Sequence, residues 1–299
     1  MWIDVPIRSV WGHEWSTVEG VDPVEDIIKS MGFAPSRRSN RLMQLAFVGA
    51  HSCIAQSDGH PRDGTGLVLG SSHGNLADTV RLVDDAIERL MPPMPFSFIN
   101  VTSNLAGFHV ANSLSIQGGP NIMVSRGQGS FSAAIELALL EPERPWLIGI
   151  CDEVPNPPEA HAQRLQLPHA TRLAEATYWI WTDPDCVSPP GRLIYIRTCS
   201  NNDELQDACN EVSRKLHNHS PTWAAARTEA DYSELQTVLP ASLKRWQPTA
   251  AGYHPCISAR VLCGFLAQKK EGSLIYAERD HLTKQWQVIA ISTYPSTTH

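Results

Sequence analysis

Gln128 is the residue best placed to do chemistry. It stands between two glycines, after the short apolar run 121–125 (NIMVS) and before the longer apolar run 130–140 (SFSAAIELALL). A buried strand, a sharp turn and a helix in that order would display its side chain from a tight elbow, beside the free N–H groups of a helix N-terminus. A thiol or hydroxyl in that place would be activated and would find an oxyanion site next to it. Glutamine offers neither. Its amide donates and accepts hydrogen bonds but forms no useful acyl-enzyme. The spacing is that of a nucleophile and the residue type withholds it, with a structural amide in an ordinary turn as the plain alternative. His254, between Tyr253 and Pro255 and ahead of another apolar run, is the second candidate. An imidazole there could move protons near neutral pH, or could be a satisfied or exposed side chain without chemistry.

These positions need a scaffold. Apolar residues at helical spacing predict helices over 24–31, 36–56, 75–90, 104–114, 130–140, 203–216, 234–246 and 255–268. Short apolar runs bounded by turn residues predict strands over 64–70, 121–125, 146–150, 175–182, 192–197, 222–226, 273–278 and 286–292. Residues 153–168, polar and rich in proline, read as a surface loop. Alternating helices and strands predict α/β layers on a mostly parallel, buried sheet.

Of the 299 residues, 42% are hydrophobic and 18% charged, enough for a sizeable core and against disorder. The net charge of −7 argues against nucleic acid or an anionic membrane as main partner, since neither gains Coulombic energy from an acidic surface. The seven cysteines are scattered and form no C-x-x-C pair, which leaves zinc and redox motifs unsupported and points to buried free thiols. Nine tryptophans suggest anchors for the core and for interfaces. The first fifteen residues lack the basic start and apolar run of a signal peptide. No stretch approaches the roughly eighteen apolar residues of a membrane span, so a cytoplasmic location without membrane insertion is expected.

Residues 95–139 (PFSFINVTSNLAGFHVANSLSIQGGPNIMVSRGQGSFSAAIELAL) resemble the central block of β-ketoacyl-acyl-carrier-protein synthases, members of the thiolase superfamily. That block has a Pro-Phe start, an Asn/Ala/Gly helix, a Gly-Pro, a strand, then Thr-Ala-Cys and a helix. Here Thr-Ala-Cys is replaced by Arg126-Gly127-Gln128. Three weaker segments match in order: SRRSNRLMQLA, the basic helix before the first strand; TGLVLGSSHGNL, the glycine-rich segment; and LAEATYWIWTD, a later strand. The family's first catalytic histidine falls in residues 224–234 (AAARTEADYSE), which contain none. The second is matched by His254. Thr249 stands where a lysine is usual, and the closing glycine-rich loop is not found before the terminal VIAISTYPSTTH.

The resemblance implies a thiolase-like, layered α-β-α-β-α fold: one domain over residues 1–299, with an N-terminal half (1–183) that carries the elbow and a reduced C-terminal half (184–299). Condensation needs a thiolate to hold the acyl chain and two imidazoles to steady the enolate, so independent condensing activity is not expected. Relatives with glutamine at this position serve as chain-length factors of type II polyketide and polyene systems, and the short chain resembles the smaller subunits associated with aryl polyenes. The implied role is a silent partner that pairs with an active ketosynthase and walls off part of its acyl tunnel. The acyl groups would arrive on the phosphopantetheine of an acyl carrier protein, with no cofactor or metal resident in this chain. Phe96, Phe98, Thr102, Phe108, Met123, Ser125 and Arg126 become tunnel or interface candidates, although phenylalanines are as a rule core. Arg126 would be either buried and paired with an acid or simply at the surface. Two other roles follow from the same resemblance: a malonyl-carrier decarboxylase relying on His254, or a scaffold for a carrier protein.

Overall fold

A computed structural model describes the whole chain except residues 17–22, 34–38, 93, 156, 169–170, 217–220, 241–242, 269–270, 281 and 294–299, and gives Pro23 and Phe96 as backbone alone. The chain opens on a long strand, β1 (Trp2–Ser16), and continues through α1 (Pro23–Ser30) and α2 (Arg41–Ile54) to β2 (Gly66–Gly70). Helices α3 (Leu76–Ile87), α4 (Pro95–Asn100) and α5 (Asn104–Ser113) lead to β3 (Asn121–Val124). The elbow and α6 (Ser130–Ala138) follow, then β4 (Trp146–Asp152), α7 (Pro158–Arg164) and β5 (Ala174–Thr182). The second half runs β6 (Gly191–Cys199), α8 (Asn202–Leu216), β7 (Thr222–Ala226), α9 (Glu229–Val238), β8 (Lys244–Arg245), α10 (Ile257–Leu266), β9 (Gly272–Arg279) and β10 (Trp286–Thr293).

All ten strands join one sheet in the order β3-β2-β4-β5-β1-β6-β10-β9-β7-β8. Taken from each edge inward, the two halves share one plan. In each, the third strand pairs with the second, the second with the fourth, the fourth with the fifth and the fifth with the first. The outer joins (β3/β2, β2/β4, β9/β7 and β7/β8) are parallel. The inner joins (β4/β5, β5/β1, β1/β6, β6/β10 and β10/β9) are antiparallel. The sheet is therefore mixed, not mostly parallel. Strand β1 welds the halves: its first residues pair with β6, and from Ile7 onward it pairs with β5.

Side-chain alternation builds the layers. In β4, Trp146, Ile148 and Ile150 point to a central core, and Leu147 and Cys151 to an outer one. In β5, Ala176, Tyr178 and Ile180 go to the centre, Trp179 and Trp181 outward. Strand β9 does the same in the other half, with Leu274 and Tyr276 central, Ile275 and Ala277 outer. Strands buried on both faces read as unbroken apolar runs, which is why they were visible in the sequence. The central core holds α6 and α10 between the two half-sheets, through Phe131, Ile135, Ala259 and Leu262. One outer core packs α1, α2 and α5 on the N-terminal half, and the other packs α8 and α9 on the C-terminal half. The result is the five-layer α-β-α-β-α arrangement. Each fully buried large side chain, Phe131 for example, contributes about 2–3 kcal/mol of transfer free energy.

Several local expectations are corrected. The basic helix begins at Arg41, because the Asn40 side chain accepts the Met43 N–H at 2.9 Å and caps it there; residues 36–38 lie outside the described residues. The helix expected over 234–246 runs from Glu229 to Val238 instead. Thr228 caps it, accepting the Asp231 N–H at 3.0 Å, Pro240 follows its end, and Lys244–Arg245 is a strand. Helix α7 interrupts the expected loop 153–168, and neither β1 nor α4 was anticipated. Six of the seven cysteines are buried and Cys186 is half-buried; all are free thiols.

Candidate functional site

The parallel strands β3, β2 and β4 end side by side, and their C-terminal ends carry the polar residues of the elbow, as in open α/β sheets where ligands gather. Gly127 takes the left-handed backbone (φ +55°) that the turn requires. Ser130 at the start of α6 ties the turn: its hydroxyl accepts the Arg126 N–H at 2.9 Å and lies 2.6 Å from the Gly127 carbonyl. Ser72, just past β2, donates to the same carbonyl at 2.8 Å. The half-buried Gln128 amide Nε2 donates to the Tyr253 hydroxyl at 3.0 Å. Burial raises the Tyr253 hydroxyl above the usual phenol range, so at neutral pH the contact joins two uncharged groups.

Asp152, at the end of β4 and 1% exposed, is the hub of the neighbouring loop. It accepts the Ser71 hydroxyl at 2.8 Å, the backbone N–H of Ser72 at 2.9 Å and of His73 at 3.0 Å, and the Cys256 thiol at 3.3 Å. It thereby joins the N-terminal half to the segment before α10. The His73 ring stands edge-on to His161 of α7, centroids 5.2 Å apart, and burial lowers both imidazoles, His161 to about 4. Among the described residues no group of three or more His, Cys, Asp or Glu side chains is arranged to hold a metal.

His254 is turned away from this chemistry. It is 1% exposed, its Nδ1 accepts the Cys256 N–H at 3.1 Å, and its Nε2 donates to Glu14 of β1 at 2.7 Å. Both ring nitrogens are thus occupied. Arg260 of α10 also donates to Glu14, at 2.5 Å, and Tyr178 bonds it as well. Burial would raise the Glu14 carboxyl, but the bonds from His254, Tyr178 and Arg260 outweigh it and hold the group down at about 2. Burial keeps His254 below its ordinary value, opposed by Glu14. A neutral imidazole N–H donating to an ionised carboxylate satisfies both.

On the C-terminal side, Arg126 Nε pairs with Asp280 at 3.0 Å, its side chain partly exposed. Burial would raise Asp280, but the Thr283 and Leu282 N–H groups and Arg126 hold it below the usual carboxylate range. The stretch without a histidine, 224–234, places Arg227 after β7, buried within 3.7 Å of Glu278 and 3.9 Å of Asp231. Thr249 is exposed on the loop ahead of His254.

The apolar candidates lie on the outside. Phe98 is 62% and Phe108 58% exposed, and Ile99 is exposed beside them. Thr102 is exposed and Ser125 too, while Met123 packs partly against the outer core. The Phe96 side chain lies outside the described residues. Phe108 borders a cleft of about 240 Å³ with Leu67, Ile116 and Asn121. Strand β3 forms one edge of the sheet, bonded among the described strands to β2 alone. Tyr253, Asp152, Ser130 and Glu14 escaped the sequence reading. Tyr253 had one signal, its place beside His254; Glu14 had none, because its partners lie 164 to 246 residues away.

No family model matches the chain, and no curated protein matches it. Solved structures do. The ishigamide ketosynthase/chain length factor superposes with a TM-score of 0.67 at 16% identity, over 92% of this chain and 86% of that one. A type II polyketide synthase acyl-carrier protein in complex with its ketosynthase bound to the hexaketide gives 0.69 at 10% identity, over 97% and 99%. A β-ketoacyl synthase from Burkholderia phymatum gives 0.66 at 12%, over 97% and 99%. At these identities the likeness establishes the fold, which is that of ketosynthases and chain length factors. Among the described residues no helix is long and apolar enough to cross a membrane.

Proposed function

We propose that this chain is a non-catalytic, chain-length-factor type subunit that pairs with an active β-ketoacyl-acyl-carrier-protein synthase and shapes the tunnel in which a carrier-bound acyl chain grows. One observation carries the reading: a glutamine, hydrogen-bonded to Tyr253, on the elbow where a ketosynthase fold displays its nucleophile. The amide cannot hold an acyl group. The decarboxylase alternative depends on a free imidazole at His254, and the bonds to Glu14 and Cys256 speak against it.

The pairing itself is supported by what the surface leaves unfinished. Strand β3 offers an open row of backbone groups at the sheet edge. Phe108 exposes apolar area beside Asn121 of β3, and Phe98 and Ile99 expose more on α4. Seated against a partner, the phenylalanines would set the depth of a shared tunnel through their volume. Co-expression with an active ketosynthase should give a stable heterodimer, and Phe98→Ala or Phe108→Ala should lengthen the product of the pair. No association, or a product distribution indifferent to both substitutions, refutes the reading. Carrier-protein delivery predicts that acyl groups supplied on a carrier are extended by the pair and not by this chain alone.

A further inference from the structure

Strand β1 has a side that the sheet uses over half its length. Its first residues pair with β6 as far as Ile7, opposite Gly191; beyond Ile7, β5 is its one partner among the described strands. The chain that leads into Gly191 is Pro189-Pro190, which has no N–H to give, so β6 cannot be prolonged alongside β1. In an antiparallel ladder every second residue turns its N–H and C=O away from the partner strand. Ser9, Val10, Trp11 and Gly12 all border a groove of about 920 Å³. Gly12 and His13 are exposed although β1 stands fifth of ten strands.

The groove is walled as a strand position is walled. On the central side stand Leu266 and Ala267, at the end of α10; on the outer side stand Gln56, Ser57 and Asp58, just past α2. The bulge at Arg8 sets the alternation between these layers: past it Val10 packs with the central core and Trp11 with the outer one. The charges around the groove are mostly answered. Arg8 pairs with Asp183 at 2.7 Å and lies over the Trp181 ring, Arg192 pairs with Asp4, and Asp185 pairs with Arg62. Asp58 is exposed and has no ion pair among the described residues.

We propose that this groove takes an extended segment of a partner protein as an added strand on β1, its apolar side chains toward Leu266 and Ala267 and its basic side chains toward Asp58. Backbone bonds to the free side of Ser9–Gly12 supply the affinity, and the two unlike walls supply the selectivity, because successive side chains of a strand face opposite layers. Strand β1 is four places in from β3. The site is therefore separate from the sheet edge invoked in the pairing proposed above and does not rest on that pairing.

A capped peptide of alternating lysine and valine, about six residues long, tests the site on the full chain by amide chemical shifts and hydrogen exchange. Saturable shifts should centre on Ser9–Gly12, and the outward amides there, fast to exchange in the free chain, should become protected. Methylating alternate peptide nitrogens of the probe removes its donors and should weaken binding about tenfold or more. Ala267→Trp, at an exposed position, fills the groove from the central wall and should weaken it to a similar extent. Asp58→Asn, or glutamate for lysine in the probe, should weaken it about threefold at low salt and little at high salt. No saturable binding, shifts that centre on Asn121–Val124 instead, affinity indifferent to N-methylation, or Ser9–Gly12 amides all slow to exchange in the free chain overturns the proposal. The methylated probe needs no variant to fold.

Discussion

Glu14 and Glu153 are both buried glutamates in one fold, and their surroundings drive them in opposite directions. Glu14 lies where β1 meets α10 and receives His254, Arg260 and Tyr178, so its charge is matched on every side. Glu153 lies at the start of α3 among Asp78, Asp152 and Glu175, and receives one backbone N–H. The first is held at about 2, the second raised to about 7. Burial alone raises a carboxyl, so the difference is made by partners. It separates a region built as a fixed pin from one that is poised. His254, a candidate imidazole by its sequence, belongs to the pin.

The largest effect should come from breaking the pin. Glu14→Ala leaves the Arg260 charge part-buried and unpaired, and should cost about 3–5 kcal/mol in urea unfolding. A loss under about 1 kcal/mol would mean the contact is loose. Acidity should reach the same group more gently. Its carboxyl sits below the ordinary 4.5 in the folded chain, so its stabilisation is complete above that pH and is lost as pH falls toward about 2. We expect about 2 kcal/mol, allowing for solvent screening, and Glu14→Gln should remove that dependence from the acid limb of a Tm–pH profile. Glu153 has the opposite sign. Its carboxyl is raised, so its penalty is absent below about 4.5 and grows until pH passes about 7. Glu153→Gln should therefore raise stability by about 2 kcal/mol at pH 8 and leave it unchanged at pH 4.5, as read by denaturant midpoints. A gain at both pH values would show that packing, not charge, is responsible. The smallest effect is at the elbow, where Gln128→Ala removes one neutral hydrogen bond and should cost about 1 kcal/mol or less.

The sequence disclosed those parts whose signal is local. The elbow was legible because a strand, two glycines and an apolar helix adjoin in the chain, and β2, β4 and β5 because burial on both faces makes an unbroken apolar run. Strand β1 was not. Arg8, Ser9 and Glu14 interrupt its apolar residues, and their partners lie far along the chain: Asp183 for Arg8, Cys53 for Ser9, and His254, Tyr178 and Arg260 for Glu14. The mixed direction of the sheet was hidden for the same reason, since it comes from antiparallel joins between strands far apart in the chain, such as β1 with β5 and with β6. Helix α7 hid in a proline-rich stretch because Pro158 opens a helix as readily as it ends one. Arg126 was left open between surface and ion pair, and the deciding Asp280 follows β9, 154 residues on.

The ten-stranded sheet has two ends that differ. At one, β8 is two residues long and consists of Lys244 and Arg245, a short charged rim of the kind that discourages further pairing. At the other, β3 is longer and uncharged, and among the described strands it pairs on one side alone. A ribbon with two receptive ends propagates into a fibre; a ribbon with one can join a single neighbour and stop. If the pairing proposed above runs through the sheet, the composition of β8 leaves β3 as the end to receive a neighbour.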